Sequence, residues 1–237
     1  MSEKSSIYYL SSNDLDNIEV LHNYIYKNME SNYYISDDFS KDFYVKLAFC
    51  GFISISYTIN EKLYLLPEIQ FEYAILDFEN LHISKKVKKL LNQNNYQFKI
   101  TKNLNNIIEK LESYHKSNWL KDEYKELLNS LIDYSNPKID FEIFSIELYD
   151  KNTKELIAGE IGYKIASTYT SLTGFSSKKD KYKNWGKLQM TLLAKYLEKN
   201  NYSFWNLGHP YMQYKFDLGA KTYNRFDFLK RWLKEIK

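Results

Sequence analysis

Cysteine is almost missing from this chain of 237 residues: Cys50 alone carries a thiol. That excludes an internal disulfide framework and a cysteine-built zinc site, and it fits a reducing compartment. No metal centre is expected. Arginine occurs only at Arg225 and Arg231, so nearly all the positive charge is lysine. The formal net charge of +3 is too small for a global field to attract nucleic acid, so any such contact must rest on local clusters. No stretch reaches the roughly 18 apolar residues that a spanning helix needs, and the opening MSEKSSIYYL carries no long apolar run. The expectation is a cytoplasmic monomer without membrane contact.

Glycine and proline are scarce too, at seven and three residues, and their placement is uneven. Gly159, Gly162, Gly174, Gly186, Gly208 and Gly219 all lie in the last third, which leaves Gly51 alone before them. Special backbone geometry is therefore concentrated toward the C-terminal end. The stretch SFWNLGHPYMQYKFDLGAK, from Ser203 to Lys221, gathers several of these residues. It reads as a buried strand ending in a polar turn, followed by a short helix. Pro210 suits that helix's first turn, and Gly219 suits its stop.

What the chain does have is strong patterning. KDFYVKLAFCGF reads as a helix, ISISYTI and KLYLLPEI as short strands, and HISKKVKKLLNQ as a basic helix. Residues 103–116 and 120–134 show helical spacing of apolar residues. After Pro137 the period changes to two. FEIFSIELYD and LIAGEIGYKIA form an expected antiparallel hairpin about KNTKE, with STYTSLTGFSS as a third strand. NWGKLQMTLLAKYLEKNN is the best helix, its stripe running through Trp185, Leu188, Gln189, Leu192, Leu193, Tyr196 and Leu197. This order predicts an α+β fold of GNAT (acyl-CoA N-acyltransferase)-like type. A mixed sheet flanked by helices would occupy residues 101–237, with a smaller mixed α/β region over 1–100.

The same residues carry a resemblance. HIS at His82–Ser84 before a basic helix, Trp119, Tyr124, SIE at Ser145–Glu147, AGEIGY at Ala158–Tyr163, TGFS at Thr173–Ser176 and DLGA at Asp217–Ala220 follow one another in a telling order. Over roughly residues 40 to 232 that order resembles leucyl/phenylalanyl-tRNA-protein transferases. The resemblance implies transfer of an amino acid from charged tRNA to the N-terminal amine of a protein, marking it for degradation. Leu172 stands where the family carries an acidic residue, Asn206 and Gly208 stand where it carries Asp and Gln, and GFISI at Gly51–Ile55 lacks its tryptophan. These departures point to a divergent branch resembling arginyl transferases, which act on acidic N-termini.

The chemistry asks little of such an enzyme. The ester is already activated, so the protein must align an amine, remove a proton and stabilise an oxyanion. A terminal amine, with a reference pKa of about 7.7 to 8.0, is partly deprotonated at neutral pH. Asn206 and His209 are the expected catalytic pair, the first as an amide donor and the second as a proton relay. Both also suit a turn and a helix cap. Glu160 interrupts an apolar strand where related enzymes carry glycine, and a carboxylate there needs a cation or good donors. Lys164 or Arg225 is one candidate partner. The other is the substrate itself, since an arginyl side chain offers a planar fork of donors that leucine lacks. Glu160 and Thr173 are the expected aminoacyl-binding residues.

For tRNA the candidates are Lys85 and Lys86 in SKKVKK, and Lys178, Lys179, Lys181 and Lys183 in SKKDKYK. Trp119 matches a family tryptophan implicated with the terminal adenosine. KNWGK lacks the fuller glycine-rich loop that would hold coenzyme A, so no cofactor is expected. A coenzyme A-dependent N-acyltransferase and a non-catalytic binding module are the competing readings.

Overall fold

The computed structural model describes residues 7–114 and 119–237. Short elements come first: β1 (Tyr8–Tyr9), α1 (Ser12–Asp16), a π-helical segment Val20–Ile25, and β2 (Tyr34–Ile35), which pairs parallel with β1. Then come α2 (Lys41–Phe49) and an antiparallel hairpin of β3 (Ile53–Ile59) and β4 (Lys62–Glu68). The turn Asn60–Glu61 has positive φ at both residues, which matches the right-handed twist of the flanking strands. β5 (Glu72–Leu76), α3 (Lys85–Gln93), β6 (Tyr96–Thr101), α4 (Asn105–Tyr114) and α5 (Asp122–Ser130) follow. The last two residues of the helix expected over 103–116 lie outside the described residues.

The second half holds β7 (Phe141–Asp150), β8 (Leu156–Ile165), β9 (Thr168–Ser176), α6 (Trp185–Lys199), β10 (Phe204–Asn206), α7 (Gln213–Asp217), β11 (Lys221–Asn224) and α8 (Arg225–Glu235). The alternating segments thus form the expected antiparallel run, and the best amphipathic pattern forms the longest helix. One sheet of seven strands organises the molecule, in the order β11-β5-β10-β9-β8-β7-β6. Only the β9–β10 pair in it is parallel, and α6 is the crossover that such a pair requires. Strands from both sides of residue 100 share this sheet, because β5 and β6 occupy its second and last places. The fold is a mixed α+β sheet flanked by helices.

Side-chain alternation divides the sheet into two faces. Ile143, Ile161, Tyr163 and Phe204 pack into a large core with α2, α4, α5 and α8. Phe144, Ile146, Tyr169 and Trp205 face the other way, where Leu193, Ala194 and Leu197 of α6 cover them. Ala158 and Leu148 extend that second face toward Val87 of α3.

Arg225 lies in the interior, fully buried at the start of α8. Its guanidinium donates to the backbone carbonyls of Gln70 (3.1 Å), Ile69 (2.5 Å), Tyr26 (3.5 Å) and Asn28, and it stacks over Phe71. A planar fork suits four converging carbonyls. Arg225 therefore binds the N-terminal segment and the 69–70 turn to α8. It is not the partner of Glu160. Lys164 is not either, since its ammonium pairs with Asp140 (2.9 Å) and Glu142 (3.6 Å).

Candidate active site

The parallel β9–β10 ladder is short: Phe204 pairs with Thr168, Trp205 with Tyr169 and Asn206 with Thr170, and there it ends. β9 runs on to Ser176 with β8 alone on its other side. The β8–β9 register shifts between Ile161 and Gly162, which places Leu172 as an extra residue at this level. Such a bulge bends a strand and re-aims its groups. A cavity of about 560 Å³ opens here, bounded by β9 from Ser171 onward, the start of α6, and the segment from Leu207 to Lys215. A smaller cavity of about 250 Å³, reaching His82, Ser84 and Val87, shares Lys187, Met190 and Tyr214 with it.

Glu160 faces the larger cavity. Strand register settles this, since Glu160 lies on the α6 face with Ala158 while its neighbours Gly159 and Ile161 face the other core. The carboxylate is only 5% exposed. Its Oε1 accepts from the Ser171 hydroxyl (2.7 Å) and the Tyr169 hydroxyl (3.0 Å), whereas Oε2 has the Gln189 amide at 3.3 Å. Ser171 is held in turn by the Trp205 indole N–H at 2.8 Å. Gly162 makes this arrangement possible, because a β-carbon there would stand 2.1 Å from the Tyr169 hydroxyl. Burial pushes the Glu160 carboxyl above its ordinary pKa, against the pull of those three donors and of the Lys215 charge.

Lys215 is the second buried ionisable group of the cavity, 7% exposed on α7. Its ammonium donates to the carbonyls of Leu207 (2.5 Å) and His209 (2.6 Å). Desolvation lowers its pKa from 10.5 to about 8, opposed by Glu160. Sequence reasoning passed over this residue, for it sits on a five-residue helix with no periodic stripe to interrupt. Gln189 did carry a signal, as a polar residue within the apolar stripe of α6, and it proves to reach Glu160.

The expected site residues fall into separate groups. Thr173 and Lys183 line the cavity with Glu160. Lys178 lies 4.8 Å over the ring of Tyr114 and Lys181 lies 4.6 Å over that of Tyr182, and both rings border the same cavity. Lys179 pairs with Glu155 at 2.5 Å. Lys85 and Lys86 are exposed at the start of α3, next to Ser84 and Val87 of the smaller cavity. Trp119 packs edge-on against Tyr124, and its carbonyl accepts from Ser56. It does not line either cavity.

Asn206 and His209 lie away from the larger cavity's lining. Asn206 is buried, and its Oδ1 accepts from Gly208 N–H at 2.9 Å, holding a turn in which Gly208 has φ of +73°. His209 turns its ring toward the β4 end: Nε2 lies 2.8 Å from Glu68 Oε2, and the ring stacks on Tyr211. Glu68 is itself buried and also accepts from Asn32. What Asn206 and His209 give the cavity comes through the backbone, since the turn they shape supplies the carbonyls that hold Lys215. Pro210 precedes α7, which starts at Gln213, so it shapes the turn and does not begin the helix. Gly219 does close the helix: its φ is +113°, and a β-carbon there would meet the Asn80 carbonyl oxygen at 2.0 Å.

Among the described residues no group of histidine, cysteine and carboxylate side chains is placed to hold a metal ion. None of their helices is long and apolar enough to cross a membrane.

Residues 75–233 match the sequence profile of the leucyl/phenylalanyl-tRNA protein transferase family, a span that contains every residue lining the larger cavity. No protein of curated function matches the sequence significantly. Among solved structures, L-PGS from Bacillus licheniformis is similar at 14% identity and a TM-score of 0.40, over 66% of this chain and 46% of that one. This chain therefore spans about half the length of that protein. A functionally unknown conserved protein from Staphylococcus epidermidis is similar at 10% identity and a TM-score of 0.41, over 82% of this chain and 70% of that one.

Proposed function

The chain belongs to the leucyl/phenylalanyl-tRNA protein transferase family, and from that premise we propose that it moves an amino acid from charged tRNA to the N-terminal amine of a protein, with arginine preferred. Glu160 in the cavity carries the preference. One of its oxygens holds two short hydroxyl bonds, while the other has a single amide at 3.3 Å and spare acceptor capacity. A guanidinium would supply charge-assisted donors to that oxygen. A leucyl or phenylalanyl group would close the cavity over a half-satisfied carboxylate.

The surroundings support an aminoacyl ester as the donor substrate. Among the described residues no strand pairs with the β9 edge beyond Thr170 on the cavity side, so an ester carbonyl can approach its backbone. The lysines of the 178–183 loop and those at the start of α3 lie beside the two neighbouring cavities, where they suit phosphates of an incoming strand. The same reading places the activity in the cytoplasm, where charged tRNA is found. Acidic N-termini are the acceptors we favour, with degradation of the modified protein as the outcome.

The test offers the wild-type protein a mixture of labelled aminoacyl-tRNAs, with reporter peptides that differ only in their first residue. Arginine transferred well ahead of leucine and phenylalanine is the expected result, with no transfer from an acyl-coenzyme A thioester. Equal use of arginyl- and leucyl-tRNA would remove the role given to Glu160. Thioester-dependent acylation without tRNA would replace the reaction class.

A further inference from the structure

We propose that Lys215 is the general base of the transfer reaction. This rests on the reading of the larger cavity as the transfer site. The geometry begins with the tetrahedral side-chain nitrogen. One corner is its bond to Cε, and two more point at the carbonyls of Leu207 and His209, at 2.5 and 2.6 Å. A neutral amine has two hydrogens, and those carbonyls accept both. The remaining corner is the lone pair, in a side chain that lines the cavity. An ammonium in the same position has one hydrogen more than these two carbonyls accept. Once Lys215 has lost its proton, both remaining hydrogens are held by the two carbonyls, and the lone pair is the corner left over.

The charged and titratable groups around it come from several elements. Glu160 faces it from β8, Lys183 and Lys187 stand at the start of α6, and Tyr114, Tyr182 and Tyr214 complete the ionisable lining. Burial favours the neutral amine, Glu160 favours the ammonium, and the balance lies at about 8. A cationic aminoacyl side chain on Glu160 would cancel the carboxylate's charge and release Lys215 further toward its basic form. Substrate choice and basicity are thereby coupled through one carboxylate.

The protons balance as follows. The acceptor ammonium first releases one proton to solvent, and the neutral amine attacks the ester carbonyl. As the C–N bond forms, Lys215 takes the second proton from that nitrogen. As the C–O bond to the terminal ribose breaks, the Lys215 ammonium returns the proton to the departing ribose oxygen. The products are the amide and the free tRNA end, with Lys215 neutral again.

Lys215→Arg tests this, because guanidinium keeps a cation and donors for the two carbonyls yet does not lose its proton near neutral pH. Transfer should fall by about 100-fold or more, with melting temperature and tRNA binding retained. Transfer within about threefold of wild type overturns the proposal. The pH profile is read with an acceptor capped by an aminooxy group, whose nitrogen is far less basic than an α-amine because of the adjoining oxygen, so that its own titration is absent. The rate should then rise through a midpoint near 8, and a flat profile overturns the assignment. A separate readout needs no activity: NMR titration of lysine labelled at Cε should show one resonance with a midpoint near 8, absent in Lys215→Arg and moved downward in Glu160→Gln. An ordinary lysine midpoint would overturn the proposal even in a protein that transfers arginine. Failure of the wild type to transfer any amino acid, with the low midpoint present, would overturn the transfer reading and leave the basic lysine standing.

Discussion

Arg225 and Lys215 are both basic side chains buried at this sheet, and both donate to backbone carbonyls, yet they are held in opposite ways. Arg225 meets four carbonyls and an aromatic face, all from its own chain, in a region that opens to no cavity described above. Lys215 meets two carbonyls and a cavity that also contains a buried carboxylate. A buried charge is therefore not itself a mark of function. What separates the two is surroundings, since four carbonyls and the Phe71 ring enclose the first side chain while the second lines a cavity beside a buried carboxylate.

Replacing Arg225 with leucine puts the largest strain on that contrast. Four carbonyls lose a charged donor, and stability should fall by about 3 to 5 kcal/mol. Denaturant unfolding measures the loss. Transfer activity per folded molecule should stay near wild type, and a selective loss of activity would mean that Arg225 also serves the site.

A smaller effect is expected from Glu160→Gln, which preserves shape and still accepts from Ser171 and Tyr169. Arginine transfer should drop about 10- to 100-fold, the worth of hydrogen bonds to a charged group. Leucine transfer should hold or rise, and the melting temperature should change little. A parallel fall in both activities would place Glu160 in the chemistry common to all substrates.

A gradual effect, spread over a range of pH, sharpens the comparison further. Lys215 binds its proton less readily in the folded protein than in the unfolded chain, where the ordinary value of 10.5 applies. Between about 8 and 10.5 the unfolded state holds more protons, so stability from this group rises with pH across that window. It is complete above the unfolded value and lost as pH falls through the folded one. The stability of wild type relative to Lys215→Met should therefore increase from pH 8 upward. A constant difference would show that Lys215 keeps its proton in the fold.

The strands β7 to β9 and the helix α6 were legible in the sequence because their periods are long and clean. β5 and β6 were not, since EYAIL and YQFKIT are short and gain their identity from neighbours in the sheet. Glu160 stood out as a carboxylate in an apolar strand, but which face it occupies depends on register, and a slip of one residue would turn it into the opposite core. Lys164 and Arg225, the partners first considered within the chain, are engaged elsewhere. Three neutral side chains from β9 and α6 donate to it instead, and such convergence across 9 to 29 residues leaves no local pattern. The pairing of His209 with Glu68 spans 141 residues and is equally silent. Lys215 looked like any surface lysine until the fold buried it.

Gly162 gives the site a control that lies outside it. It does not line the cavity, yet the space left by its missing side chain is where the Tyr169 hydroxyl passes on its way to Glu160. A single added methyl group would push that hydroxyl aside and remove one of the donors that pull the carboxyl's pKa downward against burial. Glu160 would then hold its proton more readily, and the cavity would lose its appetite for cations without any change in its walls. Divergence in substrate within such a lineage can thus proceed by way of a position that no substrate ever meets.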